Sequence, residues 1–216
     1  SPPPSPPPSP PPVANDGSLS RGGEVELPGT SSGGTTSPAV AALNASRAVA
    51  CWDATATSDL RCALLGVETP MASWAEGMGL SVGAGAAGGV AAVGAVAVAG
   101  LDAERAVACF RRKASSPYRG ACTVLTAGGA AVGAGGTVEL QGGGGSTVYD
   151  LAVASLTAEA AVACWVEGSY GECSLLTVFG GGGANISAGA VRQLPSAYAS
   201  GDGGYLSLAA FDATSA

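Results

Sequence analysis

Three stretches of this chain are near-copies of one another: LNASRAVACW at 43–52, LDAERAVACF at 101–110 and LTAEAAVACW at 156–165. Their cysteines, Cys51, Cys109 and Cys164, lie 58 and 55 residues apart. Each is followed by a second cysteine, Cys62, Cys122 or Cys173, inside another apolar run: RCALLGV, ACTVLTA or ECSLLTV. A period of this length makes each copy one supersecondary unit that cannot bury its apolar face alone, so neighbouring units must pack on one another. The similarity extends both ways. GGEVELPG at 22–29 resembles GGTVELQG at 135–142, and YLSLAAFDATSA at 205–216 resembles YDLAVASLTAEA at 149–160. The expectation is a chain that opens on the tail of a preceding unit and stops where the next AVACW run would begin, either because the end is trimmed or because a partner completes the unit.

Each unit reads as four short strands. In the third they are expected near 148–156, 160–166, 172–179 and 186–194, the first two joined by the tight turn Thr157-Ala158-Glu159. Glycine stretches at 142–145 and 180–183 punctuate the other joins. Neither is followed by the Lys-Ser/Thr pair that a phosphate-cradling loop needs, so both read as turns. Residues 77–101 carry no charge and are long enough to suggest a membrane span. The repeat instead aligns them with the last strand of one unit, a Gly-Ala turn and the first strand of the next. Glycine is costly in a helix, and the counterpart at 186–210 carries Arg192 and Asp202. Buried strands are therefore expected, and no membrane span.

Hydrophobic residues make up 47% of the chain but aromatics only 5%, with 35 glycines among 216 residues. A core built mostly of Ala and Val gains little per residue at about 25 cal/mol per Å² buried, so covalent staples are expected to assist. Six cysteines allow 15 pairings. The repeat symmetry favours Cys51–Cys62, Cys109–Cys122 and Cys164–Cys173, each clipping adjacent strands. Zinc is the competing reading, but there is no CxxC spacing and no histidine. Disulfides imply an oxidising, extracellular compartment.

The net charge of −7 lacks the surplus of Lys and Arg that a phosphate-binding surface needs, so no nucleic acid partner is expected. The cluster Arg111-Arg112-Lys113 reads as a solvated loop. The absence of histidine removes the commonest general base, and no recurrent carboxylate pair, nucleophile motif or metal cluster stands out. Asp102 and Glu104 sit in a turn of the repeat, so a turn role explains them. The chain is expected not to be an enzyme and to need no cofactor.

Residues 1–12 read SPPPSPPPSPPP. Proline fixes φ and removes the backbone donor, so this arm is expected to form a polyproline II helix spanning about 37 Å at ~3.1 Å per residue. It serves as a rigid spacer or, on the sharper reading, as an element held by glycans or by a neighbouring subunit. Serine followed by a run of prolines resembles the extensin and pherophorin class of hydroxyproline-rich glycoproteins of plant and green-algal walls. That resemblance implies hydroxylation and O-glycosylation at Pro2, Pro3, Pro4, Pro6, Pro7, Pro8, Pro10, Pro11 and Pro12. The body resembles the tandem "AVACW…C" repeats of propeller-like extracellular proteins of algae and microbes. The expected fold is all-β, with tandem four-stranded repeats that are β-propeller-like or, alternatively, β-trefoil-like. Three units are fewer than the four or so blades of a closed propeller. The expected organisation is an arm at 1–12, then a linker at 13–38 holding one strand at 24–27. The repeat body covers 39–216, with units at about 39–88, 89–142 and 143–198 and the start of a fourth at 205–216.

Two N-glycosylation sequons occur, Asn44-Ala45-Ser46 and Asn185-Ile186-Ser187, both expected to be accessible, Asn44 in a hairpin turn and Asn185 beside a Gly-rich loop. Trp52, Phe110 and Trp165 follow the first cysteines and are expected to fill core, with stacking on sugars as the competing role. Together these features suggest a structural subunit of an extracellular fibre, wall or surface appendage. Its partners would be copies of itself and covalent glycans. A secreted carbohydrate-binding module is the alternative.

Overall fold

The computed structural model describes residues 38–54, 59–68, 71–74, 80–82, 91–113, 117–128, 131–140, 146–180, 185–195 and 206–209. The proline arm, the linker strand at 24–27 and most of the expected fourth unit lie outside the described residues. Residues 206–209, which belong to that unit, carry no strand.

The described chain is all-β and forms three antiparallel sheets that do not close into a barrel. The first sheet runs β1 (Ala39–Asn44), β2 (Arg47–Ala54), β3 (Asp59–Glu68) and β4 (Met71–Trp74), with β5 (Leu80–Val82) also on β3. The second is β6 (Ala91–Gly100), β7 (Arg105–Lys113), β8 (Arg119–Gly128) and β9 (Ala131–Leu140). The third is β10 (Val148–Thr157), β11 (Ala160–Glu167), β12 (Tyr170–Phe179) and β13 (Asn185–Ala188), with β14 (Arg192–Gln193) also on β12. Sequential neighbours pair because short turns can join antiparallel strands. The β-trefoil-like alternative, which needs a central barrel, has no counterpart among the described strands.

The four strands expected per unit are present, but the fourth is continuous only in the second sheet. In the first sheet, β4 pairs with the Leu65–Glu68 end of β3 and β5 with its Leu60–Cys62 end. In the third, β13 pairs with Leu176–Phe179 and β14 with Glu172–Cys173 of β12. A strand expected at 186–194 is thus two pieces. A buried hydroxyl accompanies the irregularity. Ser174 Oγ donates to the Gly189 carbonyl at 3.0 Å, where β13 has ended. In the second sheet Thr123 Oγ1 donates to the Gly136 carbonyl at 3.1 Å, beside the bulge where β8 meets β9. Each hydroxyl partners a carbonyl that a regular ladder would have left to a backbone N–H.

The sheets stack in chain order. One core lies between the first and second, where Leu43, Val49, Leu60 and Leu64 meet Phe110 and Leu125. Another lies between the second and third, where Val107, Val124 and Leu140 meet Val153, Trp165 and Leu176. The middle sheet is buried on both faces because alternate residues of β7 go to opposite cores: Ala106, Ala108 and Phe110 to the first, Val107 and Cys109 to the second. That accounts for the uninterrupted apolar run RAVACF, which a half-exposed strand would not show. The uncharged stretch at 77–101 includes β5 and β6, and no helix among the described residues is long and apolar enough to cross a membrane.

At Gly100 the second sheet comes so close to the first that a Cβ there would overlap the backbone carbonyl of Ala42. The two sheets touch backbone to backbone at this point, which only glycine permits.

Candidate functional site

Among the described residues, the features that carry chemistry are three disulfides, three capped turns, two sequons and the surface around them.

The disulfides pair Cys51 with Cys62, Cys109 with Cys122 and Cys164 with Cys173, as the repeat implies. All six cysteines are therefore used, which replaces the zinc reading. Each bridge joins directly opposed residues of neighbouring strands, with Cα atoms 4.0–4.1 Å apart, the narrow kind of antiparallel pair. Their facing is ordered. Cys51 and Cys62 belong to the core toward the second sheet, Cys109 and Cys122 to the core toward the third. Ala163 and Trp165 point back toward the second sheet, so alternation turns Cys164 onward, away from it. Phe110 and Trp165 face the preceding sheet.

Trp52, Phe110 and Trp165 are all buried. The competing role for them, stacking on sugars at the surface, is closed by that burial. Trp165 Nε1 donates to Glu172 Oε2 at 3.0 Å, so the indole N–H has a partner inside. Glu172 directly opposes Trp165 across the β11–β12 ladder. The sequence shows ECSLL as merely another apolar run with a charge at its edge, and nothing in it marks that carboxylate as an indole acceptor.

The turns before the AVACW runs share one device. Asn44 Oδ1 accepts the Ser46 N–H at 2.8 Å, Asp102 Oδ1 the Glu104 N–H at 2.9 Å, and Thr157 Oγ1 the Glu159 N–H at 3.2 Å. Each is a side chain closing a turn two residues on. Asn44 is exposed, and its amide nitrogen, which would carry a sugar, is not the atom used in the turn. Asp102 also accepts from Arg105, through its backbone N–H at 2.8 Å and its Nε at 2.7 Å. Partial burial raises the Asp102 carboxyl, but these bonds and the Arg105 charge outweigh it and leave the group below its usual 3.8. A depressed carboxyl stabilises the fold above its unfolded value and loses that contribution as pH falls through the folded one. Asp102→Asn is therefore expected to lower the melting temperature at pH 7, with the gap to the unaltered protein closing as the pH falls below the usual 3.8. Melts recorded from pH 7 down to 2 check this.

The basic cluster Arg111-Arg112-Lys113, expected as a solvated loop, instead forms the end of strand β7. Arg112 Nη1 bonds Glu139 Oε1 at 2.6 Å, and the Arg111 guanidinium lies 5.1 Å from the Tyr118 ring centroid. Both arginines are thus engaged in cross-strand and loop contacts rather than offered to a polyanion.

Asn185 is exposed, as expected, and opens strand β13. Tyr149, Leu156, Leu175 and Phe179 on the third sheet are large and about half exposed. A shallow cleft runs between the β6–β7 turn and Gly180, lined by Asp102, Glu104, Arg105 and Thr126. Among the described residues no group of three potential metal ligands comes together. Searches of protein-family models, curated proteins and solved structures found no match to this chain.

Proposed function

We propose that this chain is a structural subunit of an extracellular glycoprotein fibre, wall or surface appendage, which assembles through its proline-rich arm and the ends of its sheet stack. The observation that carries the reading is the serial stack itself. Each sheet packs on its neighbours in sequence, the disulfides of the first and second sheets face the next sheet, that of the third faces away from the second, and the aromatic residues of the second and third sheets face back. Such a stack is quasi-one-dimensional, and a further sheet of the same kind extends it. Contacts that join one patch to a different patch on the next copy build filaments when they do not close into a ring.

On this reading the three sheets are tandem repeats of propeller-blade type. Three disulfides fit a secreted or extracellular protein. The resemblance of the arm to the hydroxyproline-rich wall glycoproteins points the same way. The alternative, a carbohydrate-binding module, had the aromatics or the loops holding sugar, and the burial of Trp52 and Trp165 leaves it the loops. The reading is tested by the assembly state of the full chain. Concentration-dependent growth into fibres or sheets is expected, and a monomer at every concentration would refute it.

A further inference from the structure

The third sheet carries on its outer surface a large aromatic ring left half exposed. Phe179, the last residue of β12, is 50% exposed. Its side neighbours Leu176 and Val178 alternate into the core, so Phe179 shares the opposite face with Leu175 and Thr177. Its partner across the β12–β13 ladder is Asn185. Directly opposed residues on one face have Cβ atoms about 4.5–5.5 Å apart, so the ring and the carboxamide share one patch of surface.

Asn185 begins the sequon Asn185-Ile186-Ser187. Ile186 is buried in the core between the second and third sheets, while Asn185 and Ser187 are both exposed. The strand thus turns the asparagine and the hydroxyl of the sequon outward together. The other sequon is different. The turn that Asn44 closes is closed equally well by Asp102 and Thr157, so turn chemistry accounts for an asparagine there. No such turn bond holds Asn185 among the described residues. Its Nδ2 lies against Gly180, which has φ +92°, and a Cβ at 180 would stand 3.1 Å from that nitrogen. The atom that would bear a sugar is therefore given room by a glycine.

We propose that Asn185 carries an N-linked glycan whose first sugar lies over the Phe179 ring. The linkage forms when Nδ2 attacks C1 of a lipid-linked oligosaccharide. The Nδ2–C1 bond is made, the C1–O bond to the lipid diphosphate is broken, and the amide loses one proton to solvent. The C–H face of the first pyranose then covers the aromatic face, removing apolar surface of both from water. The inference rests on the reading of the chain as secreted, and it narrows the assembly. The sugar covers this corner of the third sheet's outer face with polar groups. Contacts between copies then run through the proline arm and the side of the first sheet.

The test uses the full chain expressed in a eukaryotic secretory host. Peptide mass spectrometry reads occupancy at Asn185. Melting temperatures are compared for the unaltered protein, Phe179→Ala, Asn185→Gln and the double variant, and for glycan trimmed enzymatically to a single sugar. Occupied Asn185 is expected, with the trimmed protein melting like the untrimmed one. Each single variant should melt about 2–4 °C lower, the scale for a modest contact in a domain of this size, and the double variant no lower than either. A bare Asn185 in the secreted protein overturns the proposal, as do losses that add in the double variant or are absent from both single variants. Fibres formed by a protein bare at Asn185 would sink this inference and leave the structural-subunit reading standing. A glycan coupled to Phe179 on a chain that stays monomeric would do the reverse.

Discussion

Gly100→Val is expected to unfold the body of this protein. The ideal Cβ at residue 100 would overlap the Ala42 carbonyl oxygen, a backbone atom that no rotamer change can move aside. Relief requires separating β6 from β1, and those strands hold the first and second sheets together around Leu43, Val96 and Phe110. Overpacking a core typically costs 1–3 kcal/mol. A clash with main chain between two sheets belongs to the rarer class above about 4 kcal/mol, a large share of the 5–15 kcal/mol that holds a typical domain. Gly100→Ala should cost less but in the same direction. Gly128→Ala is the control: its added Cβ meets nothing within 4 Å, and a change within about 0.5 kcal/mol is expected. Denaturant unfolding followed by tryptophan fluorescence separates the three.

Removing the central disulfide with Cys109→Ala and Cys122→Ala carries the second large effect. The bridge spans 13 positions, and a loop of that size contributes about 3 kcal/mol by limiting the unfolded chain. Both sulfurs also fill core between the second and third sheets, where neither cysteine has any exposure. Their loss leaves a void in addition. A total near 3–5 kcal/mol is expected, within the range seen when small secreted domains lose a bridge. Removing Cys164 and Cys173 should cost less, since the loop is shorter at 9 positions and Cys173 is only half-buried. The same difference predicts the order of reduction. Under mild thiol treatment with alkylation, Cys164–Cys173 should open first and Cys109–Cys122 last.

Much of this was legible in the sequence because the repeat imposes it. Three near-identical AVACW segments reduce fifteen disulfide pairings to one, and the pairing found is that one. Hairpin turns were legible because Asn44, Asp102 and Thr157 are each a short polar side chain suited to closing a turn. The strand count per unit was legible, but not the division of the fourth strand. That depends on Ser174 reaching a glycine carbonyl, a contact between residues 15 positions apart. Gly100 was also hidden. Among so many glycines nothing local sets it apart, and its requirement comes from Ala42 in another sheet. The Trp165–Glu172 bond is cross-strand in the same way, and propensity does not report it.

The candidate site was legible only as a set of residues. Two sequons read alike in one dimension. The fold separates them, giving Asn44 a turn role and setting Asn185 beside Phe179, because strand register decides which side chains share a face. Trp52 and Trp165 read as either core or sugar platforms, and only burial chose between the two.

Electron microscopy of the native full-length protein tests the central claim most directly. Fibres or sheets of copies joined in one repeating direction, with density for residues 1–12 running onto a neighbouring copy, are the expected result. Single particles in which copies make no repeating contact would contradict it.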